Sequence, residues 1–186
     1  MRIQTRLYIS ILVSVLIGVG AVVVIDQLVG DEPAVTSPHE HGDGEFDIHG
    51  PQPANATPDV AAQMALTAMF SWQPVTDASP GAGLTRAKEW LTGNLAAEAN
   101  APAATGIRQL PDWEAWRASR DVIRAQVSID GQTGPEDGQC LVTATVTQTV
   151  LHTDGTQTRY GQPFTVSAAV TDSGHGWRMA SYRAVQ

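Results

Sequence analysis

Cysteine is nearly absent: Cys140 is the only one in 186 residues, so no internal disulfide can form and any folded domain must rely on its core. Lysine is as scarce. Lys88 stands alone among the arginines, a bias that, with abundant alanine, fits a GC-rich bacterial genome. An excess of positive charge is missing too: the net charge is −8, which excludes a basic nucleic-acid face and, with it, direct nucleic-acid binding. Between Asp26 and Gly50 there are seven acids and no Lys or Arg, whereas from residue 51 onward twelve acids face nine bases, a near-balanced −3. Also missing are Gly-x-Ser-x-Gly, His-Glu-x-x-His, a phosphate loop and Cys-x-x-Cys, so no motif points to acyl transfer, zinc hydrolysis, nucleotide binding or thiol redox chemistry. No cofactor and no metal is implied.

What is present begins with an uncharged run, Leu7 to Ile25, preceded by Arg2 and Arg6 and closed by Asp26. As a helix it is about 28 Å long, enough for a hydrocarbon core of about 30 Å. The arginines on one side and the acids on the other predict a cytoplasmic stub at residues 1–6, a transmembrane anchor in membrane lipid at 7–25, and an extracytoplasmic remainder. A cleaved signal peptide shares the charged start. Its apolar part is usually shorter, however, and the end AVVVIDQLVG offers no Ala-x-Ala cleavage site.

Residues 26–56 read as an acidic, disordered linker, rich in Asp, Glu, Gly, Pro and His and poor in apolar periodicity. His39, His41 and His49 lie in it among carboxylates, but H-x-H-x₇-H matches no closed metal site, so they read as solvated linker.

Residues 57–186 form one domain. Thr57, Pro58 and Asp59 signal a helix start, and Val60, Met64, Ala68 and Trp72 recur at i+4, predicting a helix that ends near Trp72. Ser79-Pro80 starts a second, with Leu84, Ala87, Trp90 and Leu91 on its apolar face before Gly93. AEANAPAATG is a loop, and PDWEAWRAS a short third helix. At Asp121 the period changes from 3.6 to 2. Ile123 to Ile129 alternate as one strand. Cys140, Val142, Ala144, Val146 and Val150 alternate with Thr143, Thr145, Thr147 and Thr149 as the next. Thr153-Asp154-Gly155 marks a hairpin, Phe164, Val166, Ala168 and Val170 line a third strand, and Trp177 to Val185 makes the last. The fold class is therefore α+β: an N-terminal transmembrane helix, then three helices covering the apolar face of a four-stranded antiparallel meander, in a cone-like arrangement.

Chemistry is hard to find in this pattern. His152 and His175 sit beside turns and read as solvated, Cys140 as a small core residue, and Asp112, Asp121 and Tyr160 as capping or exposed groups at element ends. Gln148 interrupts an apolar face without making a proton-transfer pair. No catalytic residue is assigned, and the chain is not expected to be an enzyme. The candidate contact residues for a ligand or partner are Trp72, Trp90, Trp113 and Trp116, because Trp113 and Trp116 on one short helix exceed what a small core should absorb.

The anchor, the acidic spacer and helices followed by a meander resemble the nuclear-transport-factor-2-like superfamily, and Phe70-Ser71-Trp72-Gln73-Pro74, Thr85-Arg86-Ala87 with Trp90-Leu91-Thr92, and Gly176-Trp177-Arg178-Met179 look like recurring features of small actinobacterial membrane proteins of this sort. Within it the chain is similar to bitopic subunits of type IV secretion and conjugation machines of the VirB-eight and TcpC kind, and to actinobacterial cell-entry-associated membrane proteins. The resemblance spans residues 1–29 and 57–186 and implies an assembly subunit working with other envelope-complex proteins, in a heteromeric complex or a homo-oligomer. It leaves open a ligand-binding or lipid-transport accessory domain using a cone cavity, and a small cone-fold enzyme.

Overall fold

The computed structural model describes residues 50–102 and 110–185. The apolar run 7–25 and the acidic stretch up to residue 49 lie outside the described residues. Among the described residues no helix is long and apolar enough to cross a membrane.

Helix α1 spans Pro58–Phe70, with proline at its first position and Asp59 in its first turn. The Thr57 hydroxyl engages the Asp59 carboxylate rather than a backbone N–H. The helix buries Ala61, Ala62, Ala65, Leu66 and Met69 and stops at Phe70, short of the expected Trp72. Trp72 is instead claimed by the sheet: its N–H donates to the Ile123 carbonyl at 2.8 Å and its carbonyl accepts from Ile123 N–H at 2.9 Å.

The expected second helix is broken. Helix α2 covers only Ala82–Arg86, and a 3-10 turn, Lys88–Trp90, follows. The tight turn swings Trp90 and Leu91 inward, where Leu91 bridges Met179 and Thr92 N–H donates to the Met179 carbonyl at 3.0 Å. Helix α3, Gly93–Asn100, extends into the stretch expected to be loop, because Leu95 and Ala99 at i+4 pack on the core. Helix α4 spans Trp113–Ser119 as expected. The described residues thus contain four α-helices and two 3-10 turns rather than three helices.

The sheet matches its expected order. β1 (Val122–Gln132), β2 (Gln139–Leu151), β3 (Gln157–Asp172) and β4 (Trp177–Val185) form an antiparallel meander, β1-β2-β3-β4. Cys140, Val142, Ala144, Val146 and Val150 face inward and are buried, while Thr143, Thr145, Thr147 and Thr149 are half-exposed on the other side. The β2–β3 turn is closed by Gly155 at φ +86°, with the Asp154 carboxylate accepting the Thr156 N–H at 2.9 Å.

Strands this long outrun one helical cover, and the apolar face carries two cores. The main one joins α1, the Trp90–Leu91 turn and α3 to β1–β4. The second gathers Trp72, Trp113, Trp116, Ile123 and Val150 under α4. The last residues of the stretch expected to be linker pack on the sheet. Pro53–Asn55 forms a 3-10 turn held on β4, with Arg178 donating to the Pro53 carbonyl at 2.6 Å, Trp177 N–H to the Ala56 carbonyl at 3.1 Å, and Ala56 buried.

Candidate functional site

The concave feature nearest the core is a groove where the end of α1 meets α2, α3 and β4. Met69 and Phe70, Trp72, the Pro80–Gly81 turn, Leu84, Leu95, Glu98 and Tyr182 enclose about 260 Å³. Past Gly81, Leu84 and Glu98 it widens into an open depression that runs to Pro102. Phe70 forms its aromatic wall, edge-to-face with Phe164 at 5.2 Å and with Tyr182 at 6.0 Å. Gln148 explains its place on an apolar strand face here: its amide donates to the Phe70 carbonyl at 2.7 Å, satisfying the end of α1.

An ion pair between buried Asp77 and exposed Arg86 holds the rim. Asp77 accepts from Arg86 Nη1 at 2.8 Å and Nη2 at 3.2 Å, and from Gln73 N–H at 2.7 Å, while Arg86 Nη2 donates to the Ser71 carbonyl at 2.6 Å. Arg117 of α4 ties into the same loop through the Pro74 carbonyl at 2.8 Å. Arg86 is 40% exposed, so its Coulomb energy is screened, and the pair acts mainly by fixing geometry. Asp77→Asn should cost about 1–3 kcal/mol, since a buried acceptor is lost beside a fixed guanidinium. Arg86→Lys, which cannot reproduce the two-pronged contact, should cost part of that; urea unfolding of both variants checks the order.

The groove sets two polar groups, Tyr182 and Glu98, among apolar walls. Burial pushes the Tyr182 phenol up from its ordinary value and the Glu98 charge adds to this, so near neutrality Tyr182 is a hydrogen-bond donor and not a base.

Of the expected contact residues, only Trp72 reaches the groove, and it is buried, its indole N–H donating to the Met69 carbonyl at 3.0 Å. Trp90 lies in the main core. Trp113 and Trp116 lie in the second, with ring centroids 6.5 Å apart. The expected exposed aromatic patch is therefore corrected. Both indoles of α4 are absorbed because the far end of the sheet supplies a separate apolar surface, with Tyr160 packed 4.8 Å from Trp116. The residues that do line the groove, Phe70, Leu84, Leu95, Glu98 and Tyr182, were missed. Tyr182 looked like one residue of a strand, and Leu95 lay at a supposed helix–loop boundary.

The expectation for Asp121 and His152 also changes. Asp121 is buried and accepts from Ser119 Oγ at 2.7 Å, and His152 Nδ1 lies 3.1 Å from the same oxygen. His152 Nε2 meets Thr158 Oγ1 at 2.9 Å. Carboxylate, imidazole and hydroxyl stand in the order used to activate a nucleophile. Here they link the exit of α4, the start of β1 and the β2–β3 hairpin, and so work as a clamp on the second core.

No protein-family model matches the chain, and no curated protein is a detectable sequence relative. Among solved structures it is similar to the intermembrane-space region of the chloroplast protein ARC6, at 17% identity over 51% of this chain and 72% of that one, with a TM-score of 0.30. It is also similar to the Agrobacterium tumefaciens VirB8 protein, at 9% identity over 68% of this chain and 88% of that one, with a TM-score of 0.41.

Proposed function

We propose that this chain is a non-enzymatic, membrane-anchored assembly subunit of a bacterial envelope translocation complex of the conjugation or type IV secretion kind, and that a partner protein enters the groove beside Tyr182. Residues 7–25 hold it in the membrane, with a cytoplasmic N-terminus and an extracytoplasmic folded domain. The groove carries the reading: it is open, walled by Phe70, Leu84 and Leu95, and offers one donor at Tyr182 and one acceptor at Glu98. Apolar walls with few polar anchors are what a buried side chain of a partner requires. The apolar run and the acidic spacer are the support for membrane attachment.

A photo-crosslinking residue at Leu95 or Tyr182 of the full-length protein, expressed in a bacterial membrane, should trap discrete protein partners. The same residue at Asp137, in the β1–β2 loop, should not. Adducts with lipid alone at both groove positions would replace this reading with that of an accessory domain for an apolar ligand, which the same walls could hold. Adducts indistinguishable from those at Asp137 would remove the groove from either role.

A further inference from the structure

The face of the sheet turned away from the helices carries exposed or half-exposed side chains along its length. It carries three arginines and one acid. Arg124 pairs in register with Thr149, and Thr149 with Arg159, so two guanidinium groups flank one threonine across three strands, their Cα atoms about 10 Å apart. Toward the other end Ser167 pairs with Arg183. Asp130, the acid of this face, accepts the Thr145 hydroxyl at 2.7 Å. None of the three arginines forms an ion pair among the described residues. From residue 51 onward the chain carries twelve acids and nine bases, so three unpaired arginines on one face are a local reversal of its charge.

We propose that this face docks an acidic polypeptide segment of a partner protein, whose carboxylates bind Arg124 and Arg159 at one end and Arg183 at the other. Along β2 the two levels, Thr149 and Thr143, lie about 20 Å apart, at about 3.3 Å per residue, a span that suits an extended segment. Guanidinium groups take carboxylates and lipid phosphates alike; the surface between them selects the polypeptide. Its centre is Gln126, Thr147 and Thr165, polar groups that can hydrogen-bond a polypeptide lying against them. A face that enters a bilayer presents a continuous apolar stripe along with its cations, whereas the exposed apolar residues of this face are scattered, Val122 and Leu141 at opposite ends and Val185 on the edge strand. This surface is separate from the groove, and its test is independent of the crosslinking experiment above.

The test is binding of a fluorescent decaglutamate peptide to the full-length protein in phosphatidylcholine nanodiscs at low salt. It is run in parallel on a chain whose acids between residues 26 and 47 are changed to their amides, so that its own acidic run cannot compete. Binding should weaken about tenfold or more between low and physiological salt. The triple variant Arg124→Gln, Arg159→Gln, Arg183→Gln should abolish it, whereas Arg120→Gln, an exposed arginine just before β1, should leave it unchanged. These side chains are exposed, so the triple variant should keep the parent's circular dichroism. No peptide binding by either chain, or equal binding by the triple variant, overturns the proposal. Binding of phosphatidylglycerol vesicles that depends on the three arginines, without peptide binding, also overturns it and assigns the face to membrane lipid.

Discussion

Replacing Trp113 with alanine should cost about 3–5 kcal/mol of unfolding free energy, the range for deleting a large aromatic from a core. Trp113 has 0% exposure and stacks edge-on against both Trp72, at 6.1 Å, and Trp116, at 6.5 Å, so its removal empties the middle of the second core. Trp113→Phe should behave very differently. Among the described residues the buried Trp113 Nε1 has no hydrogen-bond partner, and an unsatisfied buried donor costs about 1–3 kcal/mol. Phenylalanine removes that donor while keeping most of the ring contact, so the loss should be about 1 kcal/mol or less. Urea unfolding of the compact unit 46–186 measures both. Equal losses would mean that the indole N–H is satisfied in solution. The Ala variant should also weaken the attachment of the β2–β3 hairpin, since the Asp121–His152–Thr158 clamp borders the same core.

Gly83→Ala should be as damaging although it adds only a methyl group. A Cβ at Gly83 would fall on the Met69 carbonyl oxygen and within 3.0 Å of the Ala68 carbonyl oxygen. Both are backbone atoms of α1 and cannot swing aside. Helix α2 must then lift from α1, taking Leu84 out of the groove and pulling Arg86 away from Asp77. A loss of about 3 kcal/mol or more is expected, in the range of severe overpacking. Gly134→Ala, where a Cβ meets nothing within 4 Å, should stay within about 0.5 kcal/mol of the parent. A mild Gly83→Ala would mean that α2 is loosely held, and the groove with it.

The strands were legible because a half-covered antiparallel sheet writes its two faces into alternate residues. Val142, Val146, Val166 and Val170 are fully or almost fully buried, as their spacing implied. The helical layer was only partly legible. The short helices α2 and α3 take their form from packing, α2 from the close approach at Gly83 and α3 from Leu95 and Ala99 reaching the core, and one glycine or one i+4 pair is too short a pattern to mark a helix in sequence. The groove was less legible still. Phe70, Leu84, Leu95 and Tyr182 come from four separate elements, and nothing local marks any of them as neighbours of the others.

By itself the sequence determined where apolar and polar residues alternate, and hence the meander and the main helix, and it placed a membrane-length apolar run before an acidic stretch. Tertiary structure decided which surfaces are left over. Trp113 and Trp116 looked surplus because one small core cannot bury them, yet strands of up to 16 residues outrun α1 and create a second core that does. Arg124 and Arg159, thirty-five positions apart, become neighbours across Thr149 only through strand register. Periodicity is a property of one segment and can be read along it. Burial and proximity are properties of pairs of segments, set by strand length, register and close backbone approach, and they exist only once the chain has packed.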